Sequence, residues 1–133
     1  MKSEEKRERN ETIKKRKEKN KQGSNSKIIK LAELKFDKNG LIPAIVQDKK
    51  TKDVLMIAYM SKQSLEISIK EKRTCFYSRS RKILWRKGET SGNIQKIKEI
   101  RYDCDKDALL LLVEQTRVAC HTGEWSCFYR KIL

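Results

Sequence analysis

Between Leu41 and Gln115 the chain is divided into short runs rich in Ile, Val, Leu and Tyr, each bounded by polar residues and each too short for a long helix. The runs are residues 41–47, 54–60, 74–78, 94–102 and 108–115. Branched and aromatic residues in segments of that length read as strands. The polar segment 48–53 between the first two runs suits a hairpin connection, which makes that pair antiparallel. Ser61 is placed as a helix N-cap, with Met60 before it and Leu65 after it at the spacing of a hydrophobic staple. Leu65, Ile67 and Ile69 supply apolar contacts for one helix ending near Lys72. The expected fold is therefore mainly β, with α+β the nearest alternative: a small twisted antiparallel sheet or pseudo-barrel capped by one helix. Residues 85–93 are expected to form a long polar connection, and loops of that length in small domains often carry function.

At 133 residues the chain has room for one core. Lys and Arg number 33 against 18 Asp and Glu, a formal charge of +15 that attracts phosphate-bearing partners over long range. The charge is unevenly placed. Residues 1–26 hold ten basic and five acidic side chains, with only Met1 and Ile13 as sizeable apolar residues. Such a segment cannot bury enough surface to offset its ordering entropy, so a disordered Lys-rich tail is expected over 1–26 and one domain over 27–133. The rest of the chain retains a formal +10. A phosphate-rich ligand suits that excess, and so does a general lysine bias.

No stretch has the roughly 18 to 20 consecutive apolar residues of a membrane span, and no apolar signal-peptide run is expected at the N-terminus. The expected compartment is the cytoplasm. Cys75, Cys104, Cys120 and Cys127 would then be kept reduced, where close spacing points to metal or chemistry rather than disulfides.

Asp103, Asp105 and Asp107 alternate with Cys104 and Lys106. In an extended backbone the three carboxylates would share one side, with Cys104 on the other. Like charges spaced roughly 7 Å apart repel unless cations neutralise them, and oxygen ligands suit Mg²⁺. A solvated acidic turn accounts for the same residues.

Cys120 and Cys127 flank His121 and Gly123, and with Cys104 they make a three-thiolate set. Structural zinc is usually closed by four protein ligands, whereas catalytic zinc keeps one position open, so three Cys favour an open site. Burial as small hydrophobes is the alternative, and it is the reading adopted for Cys75 within its apolar run. His121, the one His in the chain, is a candidate general acid or base or a fourth ligand.

Residues 78–82 hold Arg79 and Arg81 among hydroxyls, and residues 85–93 combine Trp85, Arg86, Lys87, Glu89, Thr90, Ser91, Gly92 and Asn93. Arg forks, hydroxyls and Gly-rich backbone amides bind phosphate, and Trp can stack on a base. A basic surface loop with Trp85 anchored in the core explains the same composition.

These motifs together resemble phosphoribosyl-AMP cyclohydrolase of histidine biosynthesis. The residues that carry the resemblance are 78–81, 84–93, Asp103-Cys104-Asp105 with Asp107, 120–123 and 126–130, joined by 41–48, 54–56 and 58–60. It implies a cytoplasmic, intertwined homodimer that opens the adenine ring of phosphoribosyl-AMP by hydrolysing the N1–C6 bond. It further implies zinc held by Cys120 and Cys127 of one subunit and Cys104 of its partner. Magnesium would be held by Asp103, Asp105 and Asp107, with His121 the proton-transfer residue. Arg79, Arg81, Trp85, Arg86, Lys87, Glu89, Thr90, Ser91, Gly92 and Asn93 are the expected substrate-binding set.

The resemblance does not extend to the Lys-rich tail, and Glu124-Trp125 replaces basic residues found in many relatives. Some relatives are fused to a pyrophosphohydrolase domain. This chain stops at Leu133, so only the cyclohydrolase activity is expected. A zinc nucleobase deaminase needs His-x-Glu and Pro-Cys-x-x-Cys segments, which this chain lacks. A zinc-stabilised nucleic-acid-binding module is the remaining alternative, suggested by the basic charge.

Overall fold

The computed structural model of the chain describes residues 29–133, so the Lys-rich segment 1–26 lies outside the described residues. Two units are distinguished. In the first, running to Glu33, Leu31–Glu33 form a single 3-10 turn closed by Glu33 N–H donating to the Lys30 carbonyl at 2.9 Å. The second, Leu34–Leu133, holds β1 (Leu41–Asp48), β2 (Val54–Ser61), α1 (Lys62–Glu71), β3 (Cys75–Ser78), β4 (Ile83–Arg86), β5 (Gln95–Tyr102) and β6 (Leu109–Gln115). The expected β architecture with one helix is what forms.

All six strands join one sheet in the order β4-β3-β2-β1-β6-β5. The hairpins β1–β2, β3–β4 and β5–β6 are antiparallel, as short connections require. An antiparallel sheet was the expectation, and one pairing departs from it: β1 and β6 run parallel, Ala44 opposite Leu109 through Asp48 opposite Val113. Strands so far apart in sequence are not tied by a hairpin, and a long crossover leaves them free to align in parallel.

Alternation along β1 turns Ile42, Ala44 and Val46 fully inward. They meet Leu55 and Met60 of β2, Phe76 of β3, and Leu111 and Val113 of β6 in one core. β6 is apolar almost throughout because it is an interior strand, flanked by β1 and β5 on its two sides. The sheet curls into a half-barrel. Ahead of β3, Lys72 and Thr74 reach β5: Ile97 N–H donates to Lys72 O at 2.8 Å and Thr74 N–H to Gln95 O at 3.2 Å.

Ser61 caps α1 as its sequence suggested. Its hydroxyl accepts the Ser64 N–H and the Ser64 hydroxyl accepts the Ser61 N–H, a reciprocal capping box. The helix buries Ser64, Leu65 and Ser68, whereas Ile67 is half-buried and Ile69 exposed. A 3.6-residue period puts positions 64, 65 and 68 on one face and carries 69 off it, so of the expected contacts Leu65 is fully made, Ile67 partly and Ile69 not. Ser68 Oγ donates to Cys75 O and accepts the Cys75 N–H, joining helix to β3. Cys75 itself is fully buried, the small-hydrophobe reading given above, and burial pushes its thiol up.

The expected connection over 85–93 begins too early. Trp85 and Arg86 end β4, where Trp85 pairs with Phe76 and Leu84 with Tyr77. A four-residue strand flanked by basic residues gives too little alternation to be read. The true loop closes at Gly88, whose carbonyl accepts the Gly92 N–H at 2.7 Å. Gly88 has φ +79°, and a Cβ there would lie 2.4 Å from the Asn93 carbonyl carbon and 2.6 Å from the Ile94 nitrogen. Gly40, with φ +76°, faces open space.

Gly40→Ala should therefore cost about 1–2 kcal/mol for the left-handed backbone alone. Gly88→Ala should cost a further ~1–3 kcal/mol for overlap with backbone that cannot yield. Urea denaturation of both variants measures this, and equal losses would refute the tight closure at Gly88.

Candidate active site

Beyond β6 the chain turns at Arg117, whose backbone is left-handed at φ 60°. Residues 119–125 then fold into a loop closed by Ala119 N–H to Trp125 O and Cys120 N–H to Glu124 O, both 3.1 Å. Gly123, at φ 96°, makes the reversal. The segment is fastened to the start of β2 at consecutive residues. Trp125 Nε1–H donates to Asp53 Oδ2 at 2.9 Å, Ser126 Oγ to Val54 O at 2.7 Å, and Cys127 N–H to Leu55 O at 2.7 Å.

This folding brings the thiols of Cys120 and Cys127 close enough for each to shift the titration of the other. Their environments differ. The Thr122 hydroxyl, 2.9 Å from Cys120 Sγ, and the Thr122 backbone hold the Cys120 thiol below its usual range, helped by Cys127 and the Lys87 ammonium. Burial of its sulfur, then the neighbouring Cys120, pushes Cys127 up. The result is one acidic thiol beside one reluctant one, with a cation at hand, a donor pair suited to a soft metal. His121 follows Cys120 on the exposed side of the loop. Tyr129 lies nearby, its hydroxyl lowered by hydrogen bonding to Thr122 and Arg130.

Lys87 binds this loop to the one after β4. Its ammonium donates to the Ala119 carbonyl and lies 5.9 Å from the Trp85 ring centroid. Trp85 packs against Phe76 with centroids 5.2 Å apart, so the core-anchor reading of that residue holds for its ring. Arg117 fastens the same loop from the surface, donating to Asn93 Oδ1 and to Ser91 O at 2.8 Å each. Gly92 leaves room for it, since a Cβ there would fall 2.7 Å from the guanidinium. Glu89 and Thr90 are exposed at the tip.

Other members of the expected substrate set lie elsewhere. Arg86 forms a two-pronged ion pair with Glu71 at the end of α1, both bonds 2.9 Å. Arg79 stacks over the Tyr59 ring at 4.0 Å, and Arg81 lies exposed in the β3–β4 turn.

Asp103, Asp105 and Asp107 do not continue β5 as an extended stretch. They occupy a turn closed by Lys106 N–H to Asp103 O and Asp103 N–H to Ala108 O, with Lys106 left-handed at φ 63°. Asp tolerates turn geometry, and here the side chain builds the turn: Asp103 Oδ1 accepts the Asp107 N–H at 3.0 Å. That bond lowers Asp103, while hydrogen bonding to Asp103 and the charges of Asp103 and Asp105 raise Asp107. Asp103 and Asp107 are thus coupled across the turn, and the three carboxylates do not gather around one point.

The acidic turn with Cys104 precedes β6, and the thiol loop follows it. Seven residues of strand separate them, about 20 Å at roughly 3.4 Å per residue. Among the described residues no three His, Cys, Asp or Glu side chains of one chain gather as a metal site. The three thiols named from the sequence are thus two and one within a single chain.

Comparison with known proteins settles the family. Residues 56–129 match the model of the family described as phosphoribosyl-AMP cyclohydrolase. A phosphoribosyl-AMP cyclohydrolase of Archaeoglobus fulgidus is 60% identical over 100 residues, covering 75% of this chain and 93% of that protein. The chain belongs to the phosphoribosyl-AMP cyclohydrolase family. A Methanosarcina acetivorans protein of the same name is 58% identical over 105 residues, 79% of this chain and 87% of that one. The Bacillus subtilis histidine biosynthesis bifunctional protein HisIE is 62% identical over 99 residues, which span 74% of this chain and 47% of that protein. The family match takes in the loop after β4, the acidic turn and the thiol loop together.

Residues that hold this cyclohydrolase-family site in shape but escaped sequence reading are Asp48, Gln95, Gln115 and Arg117. Asp48 is buried, which raises its carboxyl, yet backbone N–H groups of Thr51, Gln115 and Lys50 outweigh burial and lower it below the ordinary 3.8. Gln95 stands in the inward phase of β5 with Ile97. A polar residue in an apolar phase is the signal that would have found it.

The Trp125–Asp53 bond should contribute about 1 kcal/mol. Trp125→Phe and Asp53→Ala should each cost about that much, and the double variant no more than the larger single, as expected of one shared contact. Urea midpoints of all three test this, and additive losses would show that the two residues act separately.

Proposed function

We propose that the chain hydrolyses the N1–C6 bond of the adenine ring in phosphoribosyl-AMP, a step of histidine biosynthesis. The observation that carries the proposal is the Cys120–Cys127 pair, folded beside Lys87 and His121, in a chain of this family. The zinc-stabilised nucleic-acid module explains neither the acidic turn nor the family match.

Cys120 and Cys127 would hold zinc together with Cys104 of a second copy. The separation of Cys104 from the other two thiols along β6 supports a site completed by two chains. The outer sheet face supports a homodimer as well: Ile45 and Ile57 are cross-strand partners, 38% and 52% exposed, and Leu110 flanks Ile45 on the same side. Adjoining exposed apolar residues of this kind favour a partner surface. When bound, zinc would lower the pKa of water toward neutrality and so supply hydroxide.

The chain's own groups do the rest. Asp103, Asp105 and Asp107, which do not gather around one point in the single chain, would have to draw together to hold magnesium, whose charge would attract the phosphates. Lys87 and the backbone amides and hydroxyls of the loop over residues 88–93 fix the nucleotide so that C6 faces the thiol end. Arg79 and Arg81 add positive charge at the β3–β4 turn. Water adds to C6, the electrons of the N1–C6 bond pass to N1, and His121 carries the proton between water and departing nitrogen. Holding water, ring and proton carrier in one geometry contributes several kcal/mol. The enzyme is expected to work in the cytoplasm.

Ultraviolet absorbance with phosphoribosyl-AMP tests the reaction, which should proceed and should stop with a strong chelator. Cys104→Ala and Cys120→Ala should each be inactive. Mixed after dissociation and reassociation, they should recover about a quarter of wild-type activity, because half the dimers are mixed and each has one intact site. Absence of recovery would refute the shared site. Absence of turnover by the wild-type chain would refute the reaction.

A further inference from the structure

The fully buried Gln95 accepts the Thr74 hydroxyl at Oε1, 2.9 Å away. Its Nε2 donates to Gln115 Oε1 at 2.8 Å and faces Met56 Sδ at 3.4 Å. That arrangement commits the oxygen of Gln115 and leaves its amino group for the turn beyond β6. Gln115 Nε2 meets carbonyl oxygens on every side: Thr116 at 3.0 Å, Val118 at 3.1 Å, Asn93 at 3.4 Å and Ile94 at 3.5 Å. Its backbone N–H donates to Asp48 Oδ1 at 3.3 Å.

Carbonyl dipoles converge in this way only around a donor. The four carbonyls belong to two different segments. Asn93 and Ile94 close the loop that carries Lys87, and Thr116 and Val118 lead directly to Cys120. Thr116 N–H donates to Ile94 O at 2.9 Å, so the two segments already touch where Gln115 sits.

We propose that Gln115 is a positioning residue, whose amino group sets the spacing between the loop over residues 87–94 and the Cys120–Cys127 pair. The inference rests on the catalytic reading given above. Gln115 touches no substrate. It acts by holding the loop that binds the nucleotide against the loop that presents the thiols. The thiol pair has its own fastening to Asp53, Val54 and Leu55, so its metal affinity does not depend on Gln115.

Gln115→Glu keeps the length, the planar end and the acceptor for Gln95, and removes the donor. With phosphoribosyl-AMP its kcat should fall about tenfold to a hundredfold while KM stays within about threefold, the mark of misplacement and not of lost binding. Co²⁺ titration of the metal-free protein, followed by thiolate–cobalt absorbance, should match wild type. Hydrogen exchange at the Thr116 and Gly92 amides should quicken about tenfold or more, with β1 and β2 amides unchanged. An unchanged kcat overturns the proposal, and so does a fall in kcat matched by an equal loss of Co²⁺ binding. Should circular dichroism show the glutamate variant unfolded, Gln115→Met carries the same test. A wild-type chain without turnover would overturn the catalytic reading, and hydrogen exchange would still decide whether Gln115 holds the two loops together.

Discussion

The pairing of β6 between β1 and β5 is the constraint on which the rest depends. It puts an apolar strand inside the sheet, with a neighbour on each side, where burial of Leu111 and Val113 fixes its register against Val46 and Asp48. A one-residue slip would turn those side chains out and the charged flanks in, so the register is firmly held. With it are fixed the positions of the two loops that β6 joins. The acidic turn stands before its first residue and the thiol loop after its last. A rigid strand therefore keeps apart, within one chain, residue sets that the proposed chemistry needs together.

The same end of β6 shows how a site of loops is made stiff. Cys120 and Cys127 come from a segment with no regular structure, yet its consecutive residues are bound to Asp53, Val54 and Leu55. The loop after β4 is bound by Lys87, Arg117 and the amide of Gln115. Most of these bonds end on backbone carbonyls, which leaves few side-chain partners for a sequence to display.

Much of the fold was legible. The runs that became β1, β2, β3, β5 and β6 carry enough branched and apolar residues to declare themselves, and Ser61 sits where a cap must. β4 was missed because four residues between basic neighbours are too few for a period. The parallel β1–β6 pairing was missed because local pattern says nothing about strands so distant in sequence. Of the candidate site, the thiols, His121 and the acidic residues were legible as chemistry, since those residue types are costly to place without a role. The family resemblance supplied their division between two chains, which no spacing could give. Gln95, Gln115 and Arg117 stayed hidden because amides and guanidinium groups are common on surfaces. Only the structure shows two of those amides turned inward and joined.

The central claim is that three thiolates from two chains make one metal centre with a vacancy. X-ray absorption at the zinc edge of the metal-loaded protein tests it most directly. Three sulfur neighbours at about 2.3 Å and one lighter neighbour at about 2.0 Å are predicted. Two sulfurs per zinc, or four, would contradict the account.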